Sequence, residues 1–545
     1  MFGLMMERPL LISSLIDYAA KYHGRSEIVS RTVEGRIHRY NWADAQARAK
    51  RLANALQRLG IRPGDRVATL AWNTHRHLEL YYGISGMGAI SHTINPRLAS
   101  DQLRYIMNHA EDALLFVDLT FVPIVEALMA ELKTIRHVVV MTDEASMPAQ
   151  TALRAPLCYE TLLAGESPSF EWPTFDEKTA SSLCYTSGTT GNPKGALFSH
   201  RSTMLHAYFM CMADFVAIAR SDSVCPVVPM FHVNAWGVPY AVAMAGAKLV
   251  LPGPKLDGAS LHDLFESEGV TLNLGVPTVW LGLLRYLDET GKRFSSLQRT
   301  LCGGSAMPET MIRALEERYD VRVTHGWGMT EMSPVGTVSA LLPEQRALPK
   351  EQQYAFQAKQ GRPMFNVELK IVDENGVALP HDGVSRGELL VRGPWVIREY
   401  YKDEAASRVA FDNEGWFRTG DIATIDEYGF MQIVDRQKDL IKSGGEWISS
   451  IDIENIAIAH PDIAEAAAIG LPHPRWGERP LLVVVPKPGR HPSKVEILSL
   501  IAERVAKWQV PDDVLFVDEL PHTATGKVMK RSLRDRFGDF TWPAA

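Results

Sequence analysis

The run Tyr185-Thr-Ser-Gly-Thr-Thr-Gly-Asn-Pro-Lys-Gly195 follows directly on the apolar residues Leu183 and Cys184. Four hydroxyl side chains, two glycines and a lysine within nine residues make a loop dense in donors. Consecutive backbone N–H groups in such a loop form a nest for anionic oxygens, and the lysine adds a point charge. Glycine permits the close backbone approach that a polyphosphate needs. The same residue types also suit a solvated turn. The Gly-x-x-x-x-Gly-Lys-Ser/Thr pattern does not fit around Lys194, so this is a phosphate loop of another kind.

Other stretches carry chemistry by their residue types. Leu301-Cys-Gly-Gly-Ser-Ala-Met-Pro308 is an apolar strand ending in Gly-Gly, where a planar ring could lie against backbone; a strand-to-helix turn capped by Ser305 fits equally. His325-Gly-Trp-Gly-Met-Thr-Glu-Met-Ser-Pro334 sets an aromatic between glycines and supplies Glu331, a hard oxygen ligand of the kind Mg²⁺ takes beside phosphates. A helix-start carboxylate is the other reading of Glu331. Asp421 closes Gly415-Trp-Phe-Arg-Thr-Gly-Asp421, a turn in which one carboxylate can accept two hydroxyls of a ribose. Asp435-Arg-Gln-Lys-Asp-Leu-Ile-Lys-Ser-Gly-Gly-Glu-Trp-Ile448 is a polar bridge, and Thr525-Gly-Lys527 lies near the C-terminus. Val228-Pro-Met-Phe-His-Val-Asn-Ala-Trp-Gly237 mixes aromatic and polar residues after a strand; core aromatics explain such a run as well as a gate does.

Together, and in their order along the chain, these motifs resemble the adenylate-forming superfamily of acyl-CoA synthetases, adenylation domains and luciferases, over nearly the whole chain. The resemblance is nearest to bacterial medium- and long-chain fatty-acyl-CoA ligases and to ligases for 3-(methylthio)propionate. It implies that Thr186, Ser187, Gly188, Thr189, Thr190 and Lys194 cradle the β- and γ-phosphates of ATP. Gly304, Ser305 and Ala306 would wall the adenine, with His325, Gly326, Trp327, Gly328, Met329 and Thr330 completing the nucleotide site. Glu331 with Thr186 would hold Mg²⁺, and Asp421 and Arg436 the ribose. Lys438 matches the hinge. Lys442, Ser443, Gly444, Gly445, Glu446 and Trp447 would enter the site after a domain turn and line the coenzyme A tunnel. Lys527 matches the mobile catalytic lysine, whereas Lys530 and Arg531 read as ordinary surface charges. His232 would sit near the substrate carboxyl and Trp236 would gate the acyl pocket, with Gly237, Val238, Gly275, Val276 and Val279 as apolar wall. The implied reaction joins a medium- or long-chain fatty acid to coenzyme A through an acyl-adenylate. The alternatives are a ligase for 3-(methylthio)propionate or another short acid, a carrier-protein-loading enzyme, and a non-catalytic nucleotide sensor. A homodimer is what such ligases suggest.

The elements that must position these residues follow from periodicity. Alternating helical and short β-branched runs predict an α/β fold. Helices are expected over 10–22, 42–59, 200–215, 261–268 and 277–287, and strands over 66–72, 114–117, 137–141, 224–229, 247–251 and 299–302. Residues 142–180 read as an irregular connection. From 361 to 430 short strands and glycine turns predict a β-barrel-like subdomain. The expected organisation is an N-terminal domain 1–435 of two α/β subdomains plus the β subdomain, a hinge 436–439, and a small mobile α+β domain 440–545. A net charge of −7 over 545 residues disfavours a nucleic-acid partner. The five cysteines show no paired Cys-x-x-Cys spacing, as in a reducing cytoplasm. Glu7, Arg8, Pro9 and Asp17 interrupt the N-terminal apolar stretch, so neither a signal peptide nor a membrane span is expected.

Overall fold

The computed structural model describes residues 1–545 except 2, 187–191, 445, 523–526 and 543–545. The chain divides into two compact units. One comprises Met1–Gly303, Tyr319–Val338 and Gly393–Ala410, and the other Gly304–Arg318, Ser339–Arg392 and Phe411–Ala545.

The first unit is built on two largely parallel sheets. A 7-stranded sheet runs in the order Leu157–Cys158, His137–Val140, Asp112–Val117, Arg66–Leu70, Ile90–Thr93, Ala180–Tyr185, Gly195–Ser199. Only its last pair is antiparallel. Its central strands are buried on both faces, as in sheets covered on both sides. Leu115, Val117, Val138 and Val140 point to one core, with Leu103 and Ile106 of the helix Ser100–Ala110. Leu114, Phe116 and Val139 point to the other, with Leu52 and Leu56 of Trp42–Arg58 and Leu80 of His75–Gly86. Trp42–Arg58 starts where periodicity placed it, because Asn41 and Asp44 form a reciprocal capping box.

The second sheet runs within this unit from Val335–Val338 through Arg322–Gly328, Arg299–Cys302, Leu272–Gly275, Ser223–Pro226, Lys248–Leu251 and Glu27–Arg31 to Ile37–Asn41. The first pair and the last pair are antiparallel, and the rest are parallel. Residues 142–180 are more ordered than their composition suggested, with the strand Leu157–Cys158 and the helix Tyr159–Ala164.

In the second unit, Glu368–Val372, Gly387–Arg392, Phe417–Ile425 and Met431–Arg436 form a four-stranded antiparallel sheet. The C-terminal part has its own sheet around the long hairpin Ile463–His473 and Gly477–Pro486. Ala466, Ala468, Leu482 and Val484 face Ile453, Ile497 and Ile501. The alternate residues Ala467, Ile469, Leu481 and Val483 face Leu533 of the last helix, Lys530–Arg536. Each face therefore has a helical cover, and the lobe holds a core of its own.

Candidate active site

In open parallel sheets ligands bind beyond the carboxyl ends of the strands, and the motifs of the first unit converge there. The phosphate loop joins Ala180–Tyr185 to its antiparallel neighbour Gly195–Ser199. Its base is closed by Thr186 N–H donating to the Lys194 carbonyl at 2.9 Å and Lys194 N–H donating to Thr186 Oγ1 at 3.0 Å. Ser187, Gly188, Thr189 and Thr190 lie outside the described residues.

Glu331 sits on the short turn Thr330–Met332 and is 6% exposed. A segment the sequence reading passed over joins it to the loop. Tyr400 Oη donates to Glu331 Oε1 at 2.7 Å, and the Tyr400 ring lies 4.9 Å from Lys194 Nζ. Burial, and then Glu331, push the Tyr400 phenol far above its ordinary range, so it remains a donor. Backbone bonds complete the clip: Ile397 N–H donates to the Glu331 carbonyl, and Tyr401 N–H to the Gly195 carbonyl. The sequence signal for Tyr400 is only two adjacent tyrosines in a charged stretch.

The acyl-side motif has a backbone that its residue types do not announce. Val233, Asn234, Ala235 and Trp236 all have φ between 46° and 56°, and Gly237 follows at 75°. This is a left-handed turn, costing roughly 1–2 kcal/mol per non-glycine residue. Buried tertiary bonds hold it. Asn234 Nδ2 donates to Ser182 Oγ at 3.0 Å, and Thr93 and Cys184 donate to Asn234 Oδ1. The turn lays the Trp236 ring on Gly303, where a Cβ would stand 3.2 Å from the ring and 2.8 Å from the Gly326 carbonyl. Gly275 ends the neighbouring strand, backed by the Trp280 indole. Val238 is buried and His232 half-buried beside them in the chain. Nearby, His325 is fully buried in register with Cys302, and the Trp327 ring packs beside Gly336.

In the second unit Asp421 and Arg436 are a cross-strand pair, with Arg436 Nε 2.7 Å from Asp421 Oδ1. The Asp421 carboxylate is 2% exposed. Gly304 and Ser305 are exposed and Ala306 half-buried. Ile441–Ser443 and Glu446–Ile448 make a hairpin on which Lys442 stacks over Trp447; Gly445 lies outside the described residues. Lys438 and Lys527 are exposed, and the described chain resumes at Lys527.

Lys530 corrects the reading of it as a surface charge. Its side chain is 11% exposed, its Nζ lies 2.6 Å from Glu454 Oε1 and it donates to Ser450 Oγ. Desolvation works against the ammonium, but Glu454 and Asp435 outweigh it and hold its pKa above the usual lysine range.

Burial also sets the stability of the first unit against acid. His77 and His200 are pushed down to about 4 and His206 to about 3, each by desolvation. Below pH 6.5 the unfolded chain takes up protons that these folded imidazoles refuse, so stability falls as pH drops from 6.5 towards 4. Between pH 6.5 and 5.5 each contributes about 1.0 kcal/mol of that loss. Urea unfolding at pH 7.5, 6.5 and 5.5 should show a shallow first interval and a second one about three times steeper; equal stability at 6.5 and 5.5 would exclude the neutral buried state.

Residues 16–401 match the AMP-binding enzyme family and 452–527 its C-terminal domain. The chain is 54% identical to 3-methylmercaptopropionyl-CoA ligase of Ruegeria lacuscaerulensis, over 99% of both chains. It is 49% identical to medium-chain-fatty-acid–CoA ligase of Ectopseudomonas oleovorans, over 99% of this chain and 98% of that one. The anthranilate CoA ligase AuaEII, solved with anthranoyl-AMP, superposes with a TM-score of 0.86 at 25% identity, over 97% of this chain and 99% of that one. The family match over residues 16–401 and the end-to-end likeness to such ligases place the protein in the AMP-binding enzyme family, as an AMP-forming acyl-CoA ligase of the adenylate-forming superfamily.

Proposed function

We propose that the acid is short and linear, 3-(methylthio)propionate or a close analogue, rather than the medium- or long-chain fatty acid first expected. The observation that carries this is the 54% identity, end to end, to a ligase named for that acid. The seating of Trp236 on Gly303 supports it, since a buried indole at the pocket fits a short tail. Each further CH₂ of a longer acid would need apolar room worth roughly 0.8 kcal/mol.

In this reading the acid carboxylate attacks the α-phosphorus of ATP and pyrophosphate leaves. The thiol of coenzyme A then attacks the acyl carbonyl, and AMP leaves. No side-chain nucleophile takes part, so the chain's work is positioning and charge stabilisation. Lys194 and the donors of its loop hold the β- and γ-phosphates. Asp421 and Arg436 hold the ribose, His232 stands at the acid's carboxyl, and Lys527 offsets the charge that builds on the α-phosphate. Glu331, with the Thr186 hydroxyl, is the oxygen donor set that Mg²⁺ takes when phosphates supply its other ligands; the ion would screen charge on the leaving pyrophosphate. The bridge 436–439 is the hinge, and the hairpin around Ser443 and Glu446 serves the thioester step. A cytoplasmic homodimer belongs to the same reading.

The test is coenzyme A-dependent AMP release across 3-(methylthio)propionate, butyrate, pentanoate, octanoate and palmitate. kcat/KM should peak at 3-(methylthio)propionate or butyrate. A maximum at octanoate or beyond would overturn the short-acid reading and restore the fatty-acid one.

A further inference from the structure

The helix His200–Met210 buries His206, which is 1% exposed. Val335 N–H donates to its Nε2 at 3.1 Å, and burial keeps the ring neutral. A neutral imidazole that accepts at Nε2 carries its proton on Nδ1. That Nδ1–H has no hydrogen-bond partner among the described residues; the ring's other neighbour is Trp395, edge to face at 5.9 Å. Nδ1 points instead at the left-handed turn, where a Cβ on Gly237 would stand only 2.7 Å from it. The donor reaches the turn because position 237 has no side chain, and Gly237 is the residue after Trp236. With no acceptor from the described residues, that N–H is open to a ligand that brings one.

We propose that His206 is a specificity-determining residue that reads the tail of the acid, its Nδ1–H donating to an acceptor atom at the fourth chain position. This rests on the acyl pocket and short acid of the preceding reading. The sulfur of 3-(methylthio)propionate is such an acceptor, though a weak one. Pentanoate has a CH₂ in its place, at nearly the same length and shape. An apolar residue at 206 would sense length alone, whereas an N–H donor separates these two acids.

The readout is the ratio of kcat/KM for 3-(methylthio)propionate over pentanoate, which cancels any loss of packing that affects both acids. A net neutral hydrogen bond is worth about a three- to tenfold ratio in the wild type. His206→Leu should bring the ratio to about one. His206→Gln, which keeps an N–H donor and an acceptor for Val335, should retain part of the preference. An unchanged ratio in His206→Leu, or a wild type that does not separate the two acids, overturns the proposal; the second outcome is available even if neither variant folds. If the acid series peaks at octanoate, the short-acid reading fails by itself. The role of His206 is then read from 4-thiaoctanoate against octanoate, where a ratio of one in the wild type overturns it and a ratio lost in His206→Leu upholds it.

Discussion

Glu331→Gln is expected to slow adenylate formation about 10²- to 10³-fold while leaving the fold intact, which is the size of effect seen when one preorganised charge-stabilising group is removed. The substitution changes charge and little else. Tyr400 Oη donates to Glu331 Oε1, and a glutamine carbonyl oxygen can accept the same bond. The Glu331 main-chain carbonyl still receives Ile397 N–H, so the clip that ties the turn to the Tyr400 segment remains. What disappears is the carboxylate of a residue 6% exposed, the oxygen donor proposed to take Mg²⁺. The loss should appear as slower pyrophosphate release and as a higher Mg²⁺ concentration for half-maximal rate. Tyr400→Phe removes only the hydrogen bond and should cost about tenfold, with the carboxylate still present. If Glu331→Gln released pyrophosphate within threefold of wild type, the glutamate would be a structural carboxylate, the helix-start role its position also permits.

How far the sequence discloses this site depends on whether the signal is local. The phosphate loop is legible because its donors lie within nine residues, and Asp421 because a turn and its register partner Arg436 belong to one hairpin. Tyr400 is not legible, since its role comes from Glu331, 69 residues away. The left-handed turn is hidden for a related reason. Val, Asn, Ala and Trp disfavour that conformation, and only buried bonds from Ser182, Thr93 and Cys184 make it the stable one. Among the elements, the helices with an apolar stripe were placed to within a few residues. Ile90–Thr93 was missed because Ser91, His92 and Thr93 break the apolar run by which a fully buried strand is read. His206 gave no signal at all; its tautomer and the facing of its Nδ1 towards Gly237 exist only in three dimensions.

Lys530→Met should destabilise the C-terminal lobe by about 3–5 kcal/mol, the cost of breaking a buried ion pair from one side. Lys530 lies on the last helix, while Glu454 lies on Ser450–Ile458, so the pair ties together helices from the two ends of the lobe. The ammonium also serves the bridge. Ser450, which accepts from Lys530, gives its N–H and hydroxyl to Asp435, and Arg534 one turn later pairs with Asp439. Methionine fills a similar volume but leaves Glu454 buried without its cation, and it withdraws positive charge from Asp435. Lys530→Met/Glu454→Met removes both charges, and apolar replacement of a whole buried pair is often neutral or stabilising. The double variant should therefore recover most of the loss, giving a coupling energy of several kcal/mol in a double-mutant cycle. A surface lysine would lose less than about 1 kcal/mol in the single variant and show no coupling. Chemical denaturation, with proteolysis of the lobe as a local probe, separates the two outcomes. The consequence for turnover follows from the same bonds. A residue that fastens the last helix to Ser450, and through it to Asp435, fixes the base from which the neighbouring Lys527, the proposed catalytic lysine, is presented. Lys530→Met should thus slow adenylation even at temperatures where the lobe remains folded, whereas the double variant should regain stability without regaining the full rate.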